Sequence, residues 1–153
     1  MRAFFADKFE RDHHLNLSLI TFFEKHEDGI PEFVLRSFSH ILNIHYLWNC
    51  RLRQLPPDSG EWDMLPLSYF GRFENQNYQE TINIVEHVDW DELIRYHSSE
   101  GIPLNGVTTD ILFHLLQHSN YHRAQITREL KQTGLNPPQT DLILFRTKQE
   151  VTK

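Results

Sequence analysis

Cysteine is almost missing from this chain. Cys50 is the only one in 153 residues, so no intrachain disulfide can form, as suits a reducing compartment. Long apolar runs are missing too, and nothing approaches the ~20 residues needed to cross a bilayer. Clustered basic charge is absent. The formal net charge is -6 and no run of Lys or Arg exceeds two residues. A nucleic-acid binder usually carries a basic stripe, because phosphate contacts supply most of its affinity. The opening stretch, "MRAFFADKFERDHH", turns charged within seven residues, unlike a secretory signal. There is no low-complexity tract and no repeat at a period of about 20–50 residues. These absences leave a cytoplasmic globular protein as the expectation, with neither nucleic acid nor membrane as partner.

What is present is ordinary globular composition, 39% hydrophobic and 24% charged, in a chain most simply read as one domain over residues 1–153. Four segments show helical periodicity. The first runs from about Ala3 to His26, with Phe5, Phe9, Leu17, Ile20 and Phe23 at three- and four-residue steps and His13 filling the gap after Phe9. "EDGIP" stops it. The second starts at Pro31, a residue suited to a first helical turn, with Glu32 at the positive end. Its stripe is Val34, Phe38, Ile41, Leu42 and Trp48, with Phe33 and Leu47 beside it. The third covers roughly Tyr69 to His87. The fourth begins with Thr108 or Thr109 as N-cap and ends near Gln132, where Gly134 and "NPP" supply the stop.

Pro56 to Leu67 forms an unusually long connection, a length often tied to function. It is long enough to carry the chain along the bundle, so the third helix need not run antiparallel to the second. "ELIRYHSSEGIPLNGVT" alternates around "SSEG" and predicts a small β-hairpin between the third and fourth helices. "TDLILFRTK" is expected to pack back on the bundle. The fold class is therefore all-α, a four-helix bundle with one hairpin.

Histidine is the residue in excess, with ten in the chain. His114, His118 and His122 stand four apart in "ILFHLLQHSNYHRAQI". Residues four apart on a helix are offset by about 40° and about 6 Å, so an adjacent pair can reach one ion. His114 and His122 are about 80° and about 12 Å apart, so all three on one ion is not expected. His118 belongs to either pair. A zinc-like site with an open position takes three protein ligands, so one comes from elsewhere: His13, His14, His26, His40, His45, His87 or His97. His40 matches His118 and His122 in depth, and His13 and His14 also remain open on geometry. His45 lies about 140° round from His40. No HExxH is present, since Leu115 and Ser119 follow the histidines. The Glu-x-x-His motif of di-iron bundles occurs only at Glu10 to His13.

"HLLQHSNYHRAQI" resembles the fourth-helix motif of the DinB/YfiT superfamily of metalloenzymes, His-x-x-x-His-x-x-x-His-Arg-x-Gln. "SFSHILNIHYLW" resembles that family's second-helix histidine segment, and "GLNPPQTDLILF" its C-terminal tail. The hairpin also falls where the family has one. Ala124 departs from the Gly common after the Arg. The resemblance implies an up-down-down-up bundle, a divalent ion, zinc or nickel, on His40, His118 and His122, and a homodimer. Characterised relatives include thiol S-transferases using low-molecular-weight thiols, a thiol-dependent isomerase and candidate hydrolases. Some members are induced by stress, which is not a mechanism.

Three neutral imidazoles leave an ion its full charge, which acidifies bound water or thiol. Two chemistries follow for a small-molecule substrate: hydrolysis, or transfer of a thiol supplied by a cosubstrate. Cys50 is poorly placed to be that thiol, about 15 Å along the helix from His40; a buried thiol is expected. Arg123 and Gln125 are expected to turn away from the ligand face, and His114 to pack beside the site or in the core. Trp48, Trp62 and Trp90 are expected core or hairpin anchors, with lining a pocket the alternative for Trp62 in the connection. Asp58, Glu61 and Asp63 are the acids of interest. The alternative is a non-catalytic metal-binding or stress-response bundle, which a fourth protein ligand or a filled pocket would favour. Proton competition at ordinary histidines would make ion affinity fall below about pH 6.

Overall fold

A computed structural model describes residues 1–141 and 143. Four long helices are present: α1 (Arg2–Lys25), α2 (Glu32–Leu52), α3 (Leu67–His87) and α4 (Thr108–Gln132). Strands β1 (Leu93–His97) and β2 (Pro103–Val107) lie between α3 and α4. They pair antiparallel, with Leu93 opposite Val107 and His97 opposite Pro103. Gly101, at φ +78°, makes the turn between them, a backbone region that glycine enters without a Cβ clash. Of "TDLILFRTK", only Thr140, Asp141 and Ile143 are described; the rest of that expected packing segment lies outside the described residues.

Local chemistry explains the element ends, with some departures from the sequence reading. Pro31 is the N-cap of α2 rather than its first residue. α3 starts two residues before Tyr69, behind Pro66. Neither Thr108 nor Thr109 is the N-cap of α4; that position is Val107. The two hydroxyls instead donate to the Glu92 carbonyl at 3.2 Å and the Trp90 carbonyl at 2.7 Å. Tertiary acceptors before β1 thus take side chains that a lone helix would have turned back on its own end.

The apolar side chains form two separate clusters. Phe5, Phe9, Trp48, Val85, Ile94 and Leu112 belong to the one nearer the hairpin. Phe23, Phe38, Leu42, Phe70, Ile126 and Leu130 belong to the other. Phe23 meets Phe38 edge-on at 5.2 Å, while Phe5 stacks on Trp90 at 5.6 Å. Trp48 is an anchor as expected, but Phe33 is exposed. Leu17 is only half-buried, and Leu15 and Leu19 are buried beside it.

A buried polar layer is interposed between the two clusters. Its members are Asp12, His13 and Asn16 of α1, Asn49 and His45 of α2, Glu74, Asn77 and Thr81 of α3, and Ser119 and Arg123 of α4. Buried polar groups cost free energy unless paired, and here most pair with one another, Asn77 Oδ1 and Arg123 Nε being the atoms left without a partner among the described residues. The Arg123 guanidinium donates to Asp12 at 2.5 Å, Asn16 at 2.9 Å and Ser119 at 2.5 Å. His13 and Asn16 both donate to the Glu74 carboxylate, at 3.0 and 3.1 Å. His45 hydrogen-bonds Thr81 at 2.6 Å, and Asn49 donates to the Asn77 carbonyl. Arg123→Ala would strand the Asp12 carboxylate in this layer, and breaking such a buried pair costs about 3–5 kcal/mol. Arg36→Ala, which removes the exposed pair with Glu32, should cost under about 1 kcal/mol. Urea unfolding of the two variants checks the contrast; equal losses would mean that the polar layer adds no such constraint.

Candidate metal centre

His40 sits at the middle of α2, and His118 and His122 stand one turn apart on α4. The structure brings these three together. The Nε2 atoms of His40 and His118 are 3.1 Å apart. Ring centroids are separated by 4.9 Å for His40–His118, 4.8 Å for His40–His122 and 4.5 Å for His118–His122. One ring nitrogen from each residue lies within 4.8 Å of the other two. Among the described residues this is the one cluster of three or more potential metal donors, and it includes no fourth protein donor.

The chemistry of the donor set fits a divalent ion. Tetrahedral zinc with Zn–N bonds of about 2.0–2.1 Å would hold neighbouring ligand nitrogens about 3.3 Å apart, close to the His40–His118 spacing. The tautomers suit it as well. His40 Nδ1 donates to the Glu61 backbone carbonyl at 2.8 Å, and His122 Nδ1 donates to the Gln125 side-chain carbonyl at 3.0 Å. A neutral imidazole carries one proton, so both residues present Nε2 as a bare lone pair. Such acceptors behind ligating histidines also set ring orientation.

Burial keeps the three rings neutral. It is the main reason that the His118 pKa falls to about 3, helped by His122, His40, His114 and His45 around it. The His40 and His122 values are also lowered, chiefly by burial, against smaller opposing effects of the Glu61 and Gln125 hydrogen bonds. Neutral imidazole is the form that binds a metal. The affinity loss expected below about pH 6 for ordinary histidines is therefore displaced to lower pH.

The other histidines are engaged elsewhere. His13 pairs with Glu74, and His45 with Thr81. His26 and His87 each bond a carbonyl one turn back on their own helix. His14 is exposed, with its ring 5.7 Å from that of His13, and His97 is in β1. His114 lies outside the cluster, exposed, its ring 6.0 Å from His118 and 5.7 Å from Trp48. Arg123 turns away toward α1, as its place on the helix requires. Gln125 does not turn away, contrary to expectation. Three residues on from His122 it lies only about 60° round the helix, so its side chain can reach back to the ring.

The connection between α2 and α3 supplies what the sequence signalled least. It runs along α2, where Asn43 donates to the Asp63 carbonyl at 2.8 Å and Ser39 accepts from Leu65 N–H at 3.2 Å. Tyr46 donates to the Asp58 carboxylate at 2.6 Å. These bonds set Glu61 over His40, where its backbone carbonyl, not its acid, orients the ring. Trp62 lies flat on His40, with centroids 3.7 Å apart and planes 5° from parallel. Polar Ser39 and Asn43 beside His40 were the signal for this docking.

A helical bundle with three convergent imidazoles across two helices defines a class of candidate metal-binding proteins. The DinB family model matches residues 23–152, and the chain belongs to the DinB family. No curated protein matched it. No helix among the described residues is long and apolar enough to cross a membrane.

His118 carries a linkage consequence. Below an ordinary histidine pKa of about 6.5 the unfolded chain takes up a proton that folded, metal-free His118 refuses until about pH 3. Stability contributed by neutral His118 is thus complete above about pH 6.5 and declines as pH falls from there. Urea unfolding of the metal-free protein at about pH 7 and about pH 5 should show this decline, and His118→Asn should reduce it. An identical pH dependence in the variant would rule out His118 as its source.

Proposed function

We propose that this protein is a metal-dependent enzyme acting on a small molecule, by thiol S-transfer or by hydrolysis. The ion, zinc or nickel, would be held by His40, His118 and His122. The observation that carries this reading is the meeting of three neutral rings, two of them held by acceptors behind them. A divalent ion on three neutral ligands keeps its full charge and acidifies a water or a low-molecular-weight thiol beside it. The chain's own part is to orient. Glu61 and Gln125 fix the tautomers, and Trp62 shields one face of His40 while leaving its own outer surface half exposed. Cys50 is buried and its thiol is pushed up in pKa by burial, which supports a thiol from outside the chain.

The up-down-down-up order is part of the proposal. Phe38 and Phe70 meet near the starts of α2 and α3, and Arg53 and Glu80 pair toward their ends, as two parallel helices would. Arg123 meets Asp12 midway along α4 and α1. A homodimer in the cytoplasm, with neither nucleic acid nor membrane bound, completes the reading; the single cysteine and the acidic charge support its setting.

A second reading is a metal-binding bundle without turnover. Trp62 favours it, because the indole occupies space directly against His40. The absence of a fourth donor among the described residues favours the enzyme.

Calorimetric zinc titration of the metal-free protein and its variants tests the site. His40→Ala, His118→Ala and His122→Ala should each abolish tight binding, and His114→Ala should keep most of it. Gln125→Ala should weaken binding about 10–100-fold, as loss of a ligand's hydrogen-bond partner does. Retention of wild-type affinity by His118→Ala would refute the site. Thiol-transfer and esterase screens on the zinc- and nickel-loaded protein separate the readings, since turnover abolished by His118→Ala supports the enzyme. Full metal binding with no turnover supports the bundle.

A further inference from the structure

We propose a second binding site, for a small organic carboxylate, in the cavity between β1 and the end of α2. This cavity of about 670 Å³ is lined by Arg51, Arg95 and His97, with Leu55, Pro56 and Tyr96 among its apolar walls. Its volume is that of a small-molecule pocket. None of His40, His118, His122 or Trp62 lines it, so the proposal does not rest on the metal reading.

Charge is the first argument. The chain is acidic overall, yet no Asp or Glu among the described residues lines this cavity. Neither Arg51 nor Arg95 pairs with a carboxylate among the described residues, a state they share with Arg2, Arg72 and Arg128, but these two alone line one cavity together. Side-chain alternation along β1 puts Leu93, Arg95 and His97 on one face, and all three line the cavity. Of the two residues on the opposite face, Ile94 is buried in the core, and Tyr96, packed on Trp48, borders the cavity beside Arg51.

Preorganisation is the second argument. The Arg51 guanidinium carbon lies 4.5 Å from the Trp48 ring centroid and 4.9 Å from that of Tyr96. One of its nitrogens donates to the His97 carbonyl at 3.2 Å. Two aromatic rings and one backbone acceptor therefore hold the group, leaving further N–H donors for a ligand. A planar guanidinium fixed in this way suits a carboxylate, which can accept two parallel hydrogen bonds. The walls of Leu55, Pro56 and Tyr96 suit an apolar body behind a single charge. A multiply charged anion gains less from those walls and meets more repulsion from the acidic chain.

The test titrates the full-length protein with benzoate, with uncharged benzamide and with inorganic phosphate, followed by NMR of backbone amides and arginine Nε–H groups. Benzoate should shift Arg51, Arg95 and Tyr96 saturably, with benzamide and phosphate each at least about tenfold weaker. Arg95→Gln, at an exposed position without an ion pair, and Arg51→Lys should each weaken benzoate about tenfold, the scale of one charge-assisted hydrogen bond. Zinc affinity should be unchanged in Arg95→Gln. Benzamide binding as tightly as benzoate would reduce the site to an apolar cavity and overturn the proposal. Phosphate binding more tightly would overturn the carboxylate assignment. Unaltered benzoate affinity in both variants, or shifts centred on His40, His118 and His122, would also overturn it.

Discussion

The arrangement of this bundle turns on where α4 can place Arg123. A guanidinium cannot be neutralised in the interior, and burying one costs several kcal/mol unless charge and hydrogen bonds compensate. Asp12 and Asn16 of α1 supply that compensation. Their position sets the rotation of α4 about its axis. Neighbouring residues on a helix point 100° apart, so once Arg123 faces α1, His122 is directed elsewhere. His118 follows His122 one turn back, and both meet α2 at His40. The meeting of the three histidines is thus a consequence of how an ion pair on the other face of α4 is satisfied.

The same need to satisfy polar groups explains the layer between the two apolar clusters. His13 and His45 are buried as deeply as His40, yet each is engaged by α3, through Glu74 and Thr81. His40 is engaged only at Nδ1 by a protein acceptor, and its Nε2 faces another histidine. Burial alone therefore does not distinguish a candidate ligand from a structural histidine. The distinction lies in which ring nitrogen is already occupied and by what. Where Glu61 and Gln125 accept the Nδ1 protons, the lone pairs are left facing one another across the helices.

Four helices, the hairpin and the long connection were legible because each depends on local pattern: three- and four-residue apolar steps, proline and glycine stops, alternation around "SSEG". The His118–His122 pair was legible for the same reason, since its spacing is a property of one helix. The role of Gln125 was equally local, but the direction of its Cα–Cβ bond points it off the ligand face, and only its long side chain reaches back about 60° to His122. The roles of Thr108 and Thr109 were not local. Their hydroxyls bond carbonyls sixteen and nineteen residues back, which no capping rule within one helix would find.

By itself, then, the sequence determined the helices, their apolar faces and one turn of paired histidines, because these follow from the rotation and rise of a single helix. It also carried a family resemblance that singled out His40. Only the tertiary structure decided that His40 meets that pair, that a backbone carbonyl and Trp62 from the connection lie against it, and that Arg51 and Arg95 share one cavity. Those facts depend on how far apart in the chain two contacting groups can be. His40 and His118 are 78 residues apart, and nothing in the local geometry of either helix specifies the rotation and depth at which they meet. That is set by the polar groups that packing must pair before the helices can close.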